Sequence, residues 1–344
     1  MSIRVEAAGP GARRRWDDWV ARAAAAMPLH YLGPLRVLER ATGATLYPLV
    51  GYRGEEPVGL FPAFVTRRGP LAHVTSPPEG HGVAALGPVL LPGGTTKQRT
   101  REHRHREFVG GCLDWLDDHV SPDAVTVRTT TGYDDVRPFV WAGFEATLDY
   151  TYLLDIDRDD EALLGGMSRS LRRTLRDADE FDCEIHEGGR PAARRIVRHA
   201  VERYADLGEP YYGASPSLVA DLYRAAPAGS VRAYACTVDG RVEGGLVTFE
   251  HDETVTWWQG GAKPAVSIPV NDLVTWHVVR DARDRGYTRY DLFGAGSPRT
   301  ADYKSQFGPR IDRVFNLRRT SGPYRAAEEL YGRVPTRALG VVGW

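Results

Sequence analysis

The stretch VRAYACTVDGRVEGGLVTFE (231–250) indicates the type of fold. Two runs rich in β-branched and aromatic residues flank a short polar turn that contains glycine, which is the pattern of a β-hairpin. The stretch LYPLVGYRGEEPVGLFPAFV (46–65) follows the same plan. Gly59 and Gly245 occupy similar places in the two second arms, roughly half the chain apart. The sequence therefore predicts two hairpins in two similar halves.

The segments around the hairpins also recur in the same order. Each hairpin follows a helix candidate and precedes a long amphipathic segment and a short strand, at 14–27, 105–120 and 124–129 in the first half and at 192–206, 270–286 and 289–293 in the second. We therefore predict an α/β fold with a mixed sheet, built as a duplicated domain; a chance similarity of mixed segments is the alternative. The predicted domains span 1–148 and 149–320, followed by a C-terminal helix and docked tail at 321–344.

Composition excludes several classes of protein. The 344 residues suit two domains, and 42% hydrophobic with 26% charged residues is typical of a globular protein. A net charge of -1 gives no overall attraction to nucleic acid or membranes, so any RNA contact would be a local patch. The three cysteines and ten histidines form no metal-binding motif, and no apolar run is long enough to span a bilayer. We expect a cytoplasmic protein without a DNA partner, a membrane span or a metal.

Four arginines recur at helical spacing within DRDDEALLGGMSRSLRRTLRDADEFDCEIHEG (157–188). Their positions are i, i+3, i+4 and i+7, so they share one helix face. Like charges at this spacing repel, and an anion on the face would relieve the repulsion, since arginine binds phosphates and carboxylates through paired hydrogen bonds. A solvated charged face is the alternative. We name this set the arginine stripe: Arg169, Arg172, Arg173 and Arg176.

The closing stretch YDLFGAGSPRTADYKSQFGPR (290–310) carries Lys304, one of three lysines in a chain whose other basic side chains are arginines. We predict Lys304 in a Gly- and Pro-rich loop that follows a strand. A lysine suits a site that needs a compact ammonium, because the guanidinium of arginine is a wider, planar fork. An incidental loop cation is the alternative.

A glycine-rich segment, WQGGAK (258–263), is the other candidate site. It follows a strand and precedes a helix, which is the geometry that cradles a pyrophosphate, so Gly260 and Gly261 are candidate cofactor-binding residues; a plain turn is the alternative. The chain lacks the P-loop, GxGxxG, HExxH and GxSxG motifs. Nearby side chains offer walls for a peptide or aminoacyl group, unless they are core residues: Tyr211, Tyr212, Trp257, Trp258 and Gln259.

With these residues, the chain resembles the FemABX-like aminoacyltransferases, a branch of the acetyltransferase (GNAT) superfamily built from two tandem acetyltransferase-like domains. SRSLRRTLRDADE (168–180) is similar to the family's basic segment, with Arg173, Arg176 and Ala178 in register. Thr174 and Asp177 depart from it, which weakens the carry-over of a tRNA or precursor-phosphate contact. The closing stretch is similar to the family's F/Y-K-x-x-F/W-G motif, at Tyr303, Lys304, Phe307 and Gly308.

The resemblance implies attack by a substrate amine on an activated acyl group, with no covalent enzyme intermediate. The implied donor is an aminoacyl-tRNA or an acyl-CoA, with no permanently bound cofactor, and the implied acceptor is a peptide or small molecule that bears an amine. Lys304 would stabilise the oxyanion or hold a terminal phosphate, and Asp302 or Asp291 would accept the amine proton, although Asp291 is equally suited to cap the strand end. The substrate-binding candidates are Arg172, Arg173, Arg176, Tyr211, Tyr212, Trp258, Gln259, Tyr303 and Phe307.

Two other functions stay open at this stage. One is an acyl-CoA-dependent N-acetyltransferase that acts on a small molecule, and the other is a module that binds an anionic ligand without catalysis. The donor, the acceptor, the general base and the oligomeric state are not determined by the sequence.

Overall fold

A computed structural model describes residues 2–94, 96–261, 265–294, 296–322 and 324–325. The chain divides into two compact units. One contains the described residues up to Asp149 and those from Arg313 onward, and the other contains Tyr150–Asp312. The predicted tail at 321–344 lies outside the described residues from position 326 on.

The first unit is a sheet with helices. Its sheet has the order β1-β2-β3-β4-β6-β13, and β5 pairs with β3. The β2–β3 hairpin confirms the prediction at 46–65, and the parallel pair β4 and β6 is connected through α3. The elements in chain order are β1 (Arg4–Ala7), α1 (Pro10–Val20), α2 (Leu32–Thr42), β2 (Thr45–Arg53), β3 (Glu56–Arg68), β4 (Leu71–Ser76), β5 (Val89–Leu90), α3 (Gln98–His119), β6 (Ala124–Arg128), α4 (Arg137–Trp141), the start of β7 (Glu145–Asp155) and most of β13 (Arg310–Thr320).

Packing of α3 on the hairpin explains two glycines of the first unit. The ring of Phe108 is fully buried against the backbone of Gly51 and Gly59. A Cβ atom at these glycines would lie 2.5 and 2.6 Å from the ring. The glycine repeated in both hairpins therefore lets a helix approach the sheet closely.

The second unit holds the better motifs. Its sheet has the order β7-β12-β11-β10-β9-β8, where β11 and β12 are parallel. The β9–β10 hairpin confirms the prediction at 231–250. The elements in chain order are α5 (Asp160–Gly166), α6 (Arg169–Arg176), β8 (Glu184–Gly188), α7 (Arg190–Asp206), α8 (Pro216–Ala225), β9 (Val231–Val238), β10 (Arg241–His251), β11 (Thr254–Gly260), α9 (Val270–Asp284), β12 (Arg289–Asp291) and α10 (Pro298–Ser305).

Helices cover both faces of the second sheet. A Cβ atom at Gly244 would meet Val270 of α9 at 2.6 Å, and one at the next residue, Gly245, would meet Ile196 of α7 at 2.7 Å. Neighbouring strand residues point to opposite faces, so α9 and α7 pack on opposite sides. The α9 side contains a core of apolar residues from α5, α6, α9 and the strands.

The recurring order of elements is confirmed, with two differences. Each hairpin follows two helices rather than one, α1 and α2 or α7 and α8, and each is followed by a further strand, β4 or β11. The basic segment also forms two short helices, because Met167 is extended and the Ser168 side chain accepts a hydrogen bond from Leu171 N to begin α6. The sequence pattern did not separate these neighbours, since a helix pair and a single interrupted helix show the same apolar spacing.

Candidate active site

The carboxyl ends of β11 and β12 form the centre of the candidate site. The two strands pair from Thr254 with Arg289 to Thr256 with Asp291, after which β12 ends and β11 continues to Gly260. Helix α9 connects them and begins near the same edge. In α/β sheets this edge is where ligands bind, because strand ends and helix N-termini present unpaired polar groups there.

The turn after β12 is held by buried hydrogen bonds. Asp291 Oδ1 accepts from Thr151 Oγ1 at 2.5 Å and from Phe293 N at 2.8 Å, and Thr151 Oγ1 accepts from Gly294 N at 3.1 Å. Phe293 has a φ of 58°, which is unfavourable for a bulky residue. These bonds hold the strained turn. Asp291 therefore caps the strand end, which is one of the two roles predicted for it, the other being proton acceptor.

Lys304 lies in helix α10 and not in a loop, so that part of the prediction is wrong. Ser297 begins this helix by accepting a hydrogen bond from Thr300 N, and Pro298 occupies its first turn, so the loop-forming residues serve as helix-start signals. The side chain of Lys304 is buried, with 8% exposure.

The ammonium of Lys304 contacts the strained turn and an aromatic ring. Its Nζ donates to the carbonyl oxygens of Phe293 and, at 3.0 Å, of Gly294, and lies 5.3 Å from the ring centroid of Trp257. Burial lowers the pKa of Lys304 to about 8, and the Asp291 carboxylate opposes part of this shift. An ammonium has three N–H groups. Two of them donate to these carbonyl oxygens, so the third is directed elsewhere.

A cluster of polar groups surrounds Tyr303, next to Lys304. The Tyr303 ring packs edge-on against Trp257 and Phe307, with centroids 6.5 and 5.8 Å apart. Its hydroxyl faces the carboxyl of Asp272 and the hydroxyl of Thr275 in α9. Burial raises the pKa of Tyr303 and, more weakly, that of Asp272, where the facing hydroxyl opposes part of the rise.

Three buried hydroxyls lie close together in this cluster: one, on Tyr303, is beside the Asp272 carboxyl and the Thr275 hydroxyl, and another, on Tyr290, has no hydrogen-bond partner among the described residues. They belong to Thr275, Tyr290 and Tyr303. A buried polar group without a partner costs about 1–3 kcal/mol, and folded proteins keep few of them. This group of buried polar side chains beside Asp272 and Lys304 makes the place a candidate functional site.

Asp272 was not among the residues predicted from the sequence. An acidic residue in the first turn of an amphipathic helix is ordinarily read as a partner of the helix dipole. Its position soon after the WQGGAK segment was the available signal, because a helix that follows a strand and a glycine-rich loop begins at the ligand-binding edge of the sheet.

The predicted aromatic and glycine residues divide between the two faces of β11. Gln259 Oε1 accepts from Tyr211 Oη at 2.7 Å and from Ala214 N at 3.3 Å, while Tyr212 is half exposed. Trp258 is buried and stacks on Phe249, with centroids 4.2 Å apart. These contacts lie away from the Trp257 side, where Lys304 and Tyr303 meet.

Gly260 and Gly261 allow the end of β11 to pack closely. Both have positive φ, and a Cβ atom at Gly260 would lie 2.2 Å from the Gly245 carbonyl oxygen, while one at Gly261 would lie 2.1 Å from the Trp257 ring. Helix α9 begins only at Val270, so the glycines do not open it directly. The predicted strand–glycine–helix geometry is therefore looser than expected.

Asp302 lies apart from the buried cluster. It is exposed on α10. Asp302 lies two positions before Lys304, which is a rotation of about 200° around the helix axis, so its side chain points away from that of Lys304. Phe307 is buried in the core and lines, with Leu163, Gly166 and Arg310, a cleft of about 250 Å³.

The arginine stripe is on the surface of α6. Arg173 is 87% exposed and lies 3.7 Å from Asp177, and Arg176 lies 2.9 Å from Glu161. Arg172 is half-buried and its Nη2 donates to the Met167 carbonyl at 3.5 Å. Acidic neighbours thus relieve part of the repulsion that the sequence analysis noted, and the face stays accessible to an anion.

Residues 166–305 match the sequence profile of a family described as an acetyltransferase (GNAT) domain. The chain carries a GNAT-like acetyltransferase domain. The matched range contains α6, the β9–β10 hairpin, β11, α9 and Lys304, so the polar cluster belongs to the GNAT-like domain. No curated protein matches the sequence of the chain.

Solved structures resemble the chain over nearly its whole length. FemX matches with a TM-score of 0.70 and 11% identity, covering 96% of this chain and 99% of that one. The C-terminal domain of a putative lysylphosphatidylglycerol synthetase from Agrobacterium fabrum matches with a TM-score of 0.58 and 13% identity, covering 94% and 96%. A tandem GNAT protein from the clavulanic acid biosynthesis pathway matches with a TM-score of 0.51 and 14% identity, covering 93% and 98%. At these identities the likeness is one of fold, and it confirms the predicted tandem acetyltransferase architecture.

No described helix combines the length and apolar character that crossing a bilayer requires. Among the same residues, no group of three or more His, Cys, Asp or Glu side chains is arranged to hold a metal ion.

Proposed function

We propose that the protein transfers an acyl or aminoacyl group from an activated donor to a substrate amine and so forms an amide bond. The match of residues 166–305 to the acetyltransferase domain supports an acyltransferase of GNAT type. The observation that carries the proposal is the buried ammonium of Lys304 at the carboxyl ends of β11 and β12.

The chemistry of amide formation suits this ammonium. Attack by an amine on an ester or thioester builds a negatively charged tetrahedral intermediate, and a fixed donor in a dry site stabilises it by several kcal/mol. Two hydrogen bonds to backbone carbonyls fix Lys304 in place. Its third N–H is the donor that we assign to the oxyanion.

The remaining candidate residues take supporting roles in this proposal. Tyr303 and Phe307 pack beside Lys304 and form the aromatic wall of the reacting centre, while Tyr211, Tyr212 and Gln259 stay candidates for contacts with the rest of the substrate. The stripe residues Arg172, Arg173 and Arg176 bind an anionic part of the donor through charge-assisted hydrogen bonds. We assign these roles to the C-terminal domain predicted at 149–320 and not to the N-terminal domain predicted at 1–148.

The acyl donor is either an aminoacyl ester or an acyl-CoA. We favour an aminoacyl ester, as carried by charged tRNA, because FemX and the lysylphosphatidylglycerol synthetase domain share the fold over nearly their full lengths. An acyl-CoA acting with a small-molecule acceptor is the second candidate, favoured by the likeness to the tandem GNAT protein of clavulanic acid biosynthesis. Either donor places the enzyme in the cytoplasm.

A direct comparison of donors tests the proposal. Purified protein is incubated with charged tRNA or with acetyl-CoA, each with a panel of peptide and small-molecule amines, and amide products are measured by mass spectrometry. We expect product that depends on donor and acceptor, with a loss of about 10²- to 10³-fold in Lys304→Ala. Lys97→Arg, a lysine substitution in the first unit, serves as the matched control. Ligand binding without amide product from any pair would favour a non-catalytic module.

A further inference from the structure

Three aspartates lie on or beside the elements that hold Lys304, and the structure distinguishes their roles. Asp291 accepts hydrogen bonds from Thr151 and Phe293 and closes a strained turn. Asp302 is exposed on the far side of α10. Asp272 remains, in the first turn of α9, with a carboxyl that is half-buried and thus open on one side.

Contacts connect Asp272 to the reacting centre. The hydroxyl of Tyr303 faces the Asp272 carboxyl, and the Tyr303 ring packs edge-on against the ring of Trp257. The Lys304 ammonium lies 5.3 Å from the centroid of that Trp257 ring. One layer of side chains therefore holds a carboxylate at one end and a cation at the other.

The buried hydroxyls favour a role in proton transfer. Those of Thr275, Tyr290 and Tyr303 lie close to one another, and the Tyr303 hydroxyl is beside both the Thr275 hydroxyl and the Asp272 carboxyl. Hydroxyls can both donate and accept, so they suit a place where a proton arrives and leaves.

We propose that Asp272 is the group that takes the proton from the acceptor's ammonium, with Tyr303 holding its carboxyl in position. This inference rests on the proposed amide-forming function and names the base that it needs. It replaces Asp302 and Asp291, the two residues predicted from the sequence for this role.

The step balances as follows in atoms and charge. The acceptor enters as R–NH3+ and loses one proton to the Asp272 carboxylate, which frees the nitrogen lone pair. That pair forms the C–N bond to the acyl carbon, and the C–O or C–S bond to the donor breaks. The second proton lost by the nitrogen ends on the leaving oxygen or sulfur, and Asp272 releases its proton to solvent.

The surroundings of Asp272 make it a better base than an ordinary aspartate. Burial raises its pKa, and a base whose pKa is nearer neutrality removes a proton more efficiently. The titratable groups on the elements packed around α9 are Tyr303 and Lys304 from α10, Tyr290 and Asp291 from β12, Arg169, Arg172, Arg173 and Arg176 from α6, Arg232, Tyr234 and Cys236 from β9, and Arg241, Glu243, Glu250 and His251 from β10. Of these, Tyr303 faces the carboxyl directly.

Asp272→Asn provides the test, since it keeps the shape and removes the base. With an alkylamine acceptor, which is protonated at pH 7, we expect kcat to fall by about 10²-fold or more. With a hydroxylamine acceptor, which is already neutral at pH 7, we expect a loss smaller than about fivefold, because no proton must be removed before attack. A merely structural role would lower both rates equally.

Asp284→Asn, an exposed aspartate near the end of the same helix, is the matched control and should behave as wild type with both acceptors. Tyr303→Phe is a second variant should Asp272→Asn fold poorly. Because the Tyr303 hydroxyl holds the pKa of Asp272 down, its removal should move the acidic limb of the kcat/KM pH profile to higher pH. Thermal melts check that each variant is folded.

The results distinguish a wrong role for Asp272 from a wrong transferase function. Wild-type protein that forms no amide with any donor and acceptor overturns the proposed function. Wild-type activity together with an equal loss for both acceptors in Asp272→Asn, or an unmoved acidic limb in Tyr303→Phe, overturns the role of Asp272 and leaves the transferase function standing.

Discussion

The protonation of Lys304 can be predicted in detail from its surroundings. Burial lowers its pKa from 10.5 to about 8, against the opposing effect of Asp291. At about 1.36 kcal/mol per pKa unit, this shift corresponds to a penalty of about 3 kcal/mol on the charged form. At pH 7 the side chain is still charged in about ten molecules for each neutral one, so the cation is available at neutral pH and is lost above pH 8.

Nuclear magnetic resonance of isotope-labelled lysine measures this directly, because the chain has three lysines. We expect one of the three side-chain signals to titrate near pH 8 and to be absent from Lys304→Arg. A Lys304 signal that stays charged at pH 10 would refute the reasoning, because it would mean that burial does not disfavour the ammonium.

Activity should follow the same titration. If the ammonium stabilises the oxyanion, kcat of the wild type falls above pH 8 as Lys304 loses its proton. Lys304→Arg keeps its charge and should lose this alkaline limb, while its kcat stays low because the planar guanidinium cannot occupy the place of the ammonium between Phe293, Gly294 and Trp257. Lys97→Arg should retain the limb. An unchanged alkaline limb in Lys304→Arg would assign it to another group.

Three further predictions concern packing, the arginine stripe and a buried ion pair. Gly261→Ala should lower kcat at least about tenfold, because its Cβ would lie 2.1 Å from Trp257 and displace the ring on which Lys304 rests; unchanged kinetics would contradict this. Arg173→Ala should raise KM for the donor tenfold or more, whereas Arg224→Ala, another exposed arginine, should not; equal KM values would indicate a solvated face. Glu250→Gln should reduce the free energy of unfolding by about 3 kcal/mol or more in urea titrations, because this buried carboxylate accepts from both Arg232 and Arg285; a change below about 1 kcal/mol would show that the pair is dispensable.

Local patterns were enough to predict the order of the elements. Hairpins with polar turns and helices with regular apolar spacing leave signals within a few residues, so both hairpins and the helices α3, α7 and α9 were predicted close to their observed positions. Strand β4 was missed because LAHVTS is short and adjoins a long glycine- and proline-rich loop that dominated the pattern.

The site was harder to predict because it depends on which face a residue occupies after folding. Lys304 was singled out correctly as unusual, but its burial arises from the turn at Phe293 and from Trp257, and Trp257 is distant in sequence. Asp302 and Asp272 look alike in the sequence as acids near a predicted motif, and their different exposure appears only once α9 and α10 pack together. Tertiary contacts of this kind leave no local pattern.

Burial acts on Asp272 and Lys304 in opposite directions, and this connects the two proposals. Removing water disfavours charge, so it raises the pKa of the carboxyl and lowers that of the amine, which brings both closer to neutral pH. A carboxylate works better as a general base when its pKa is raised. An oxyanion donor must carry its proton, so Lys304 can act only at pH values below its lowered pKa. The kcat/KM profile of the wild type should therefore be bell-shaped, with an acidic limb that Asp272→Asn removes and an alkaline limb that Lys304→Arg removes. Each variant should leave the other limb in place, because the two groups lie at opposite ends of the Tyr303–Trp257 layer and neither is a leading cause of the other's pKa shift. A single substitution that removed both limbs would show that the two groups titrate as one unit, and the separate roles assigned to them would then be wrong.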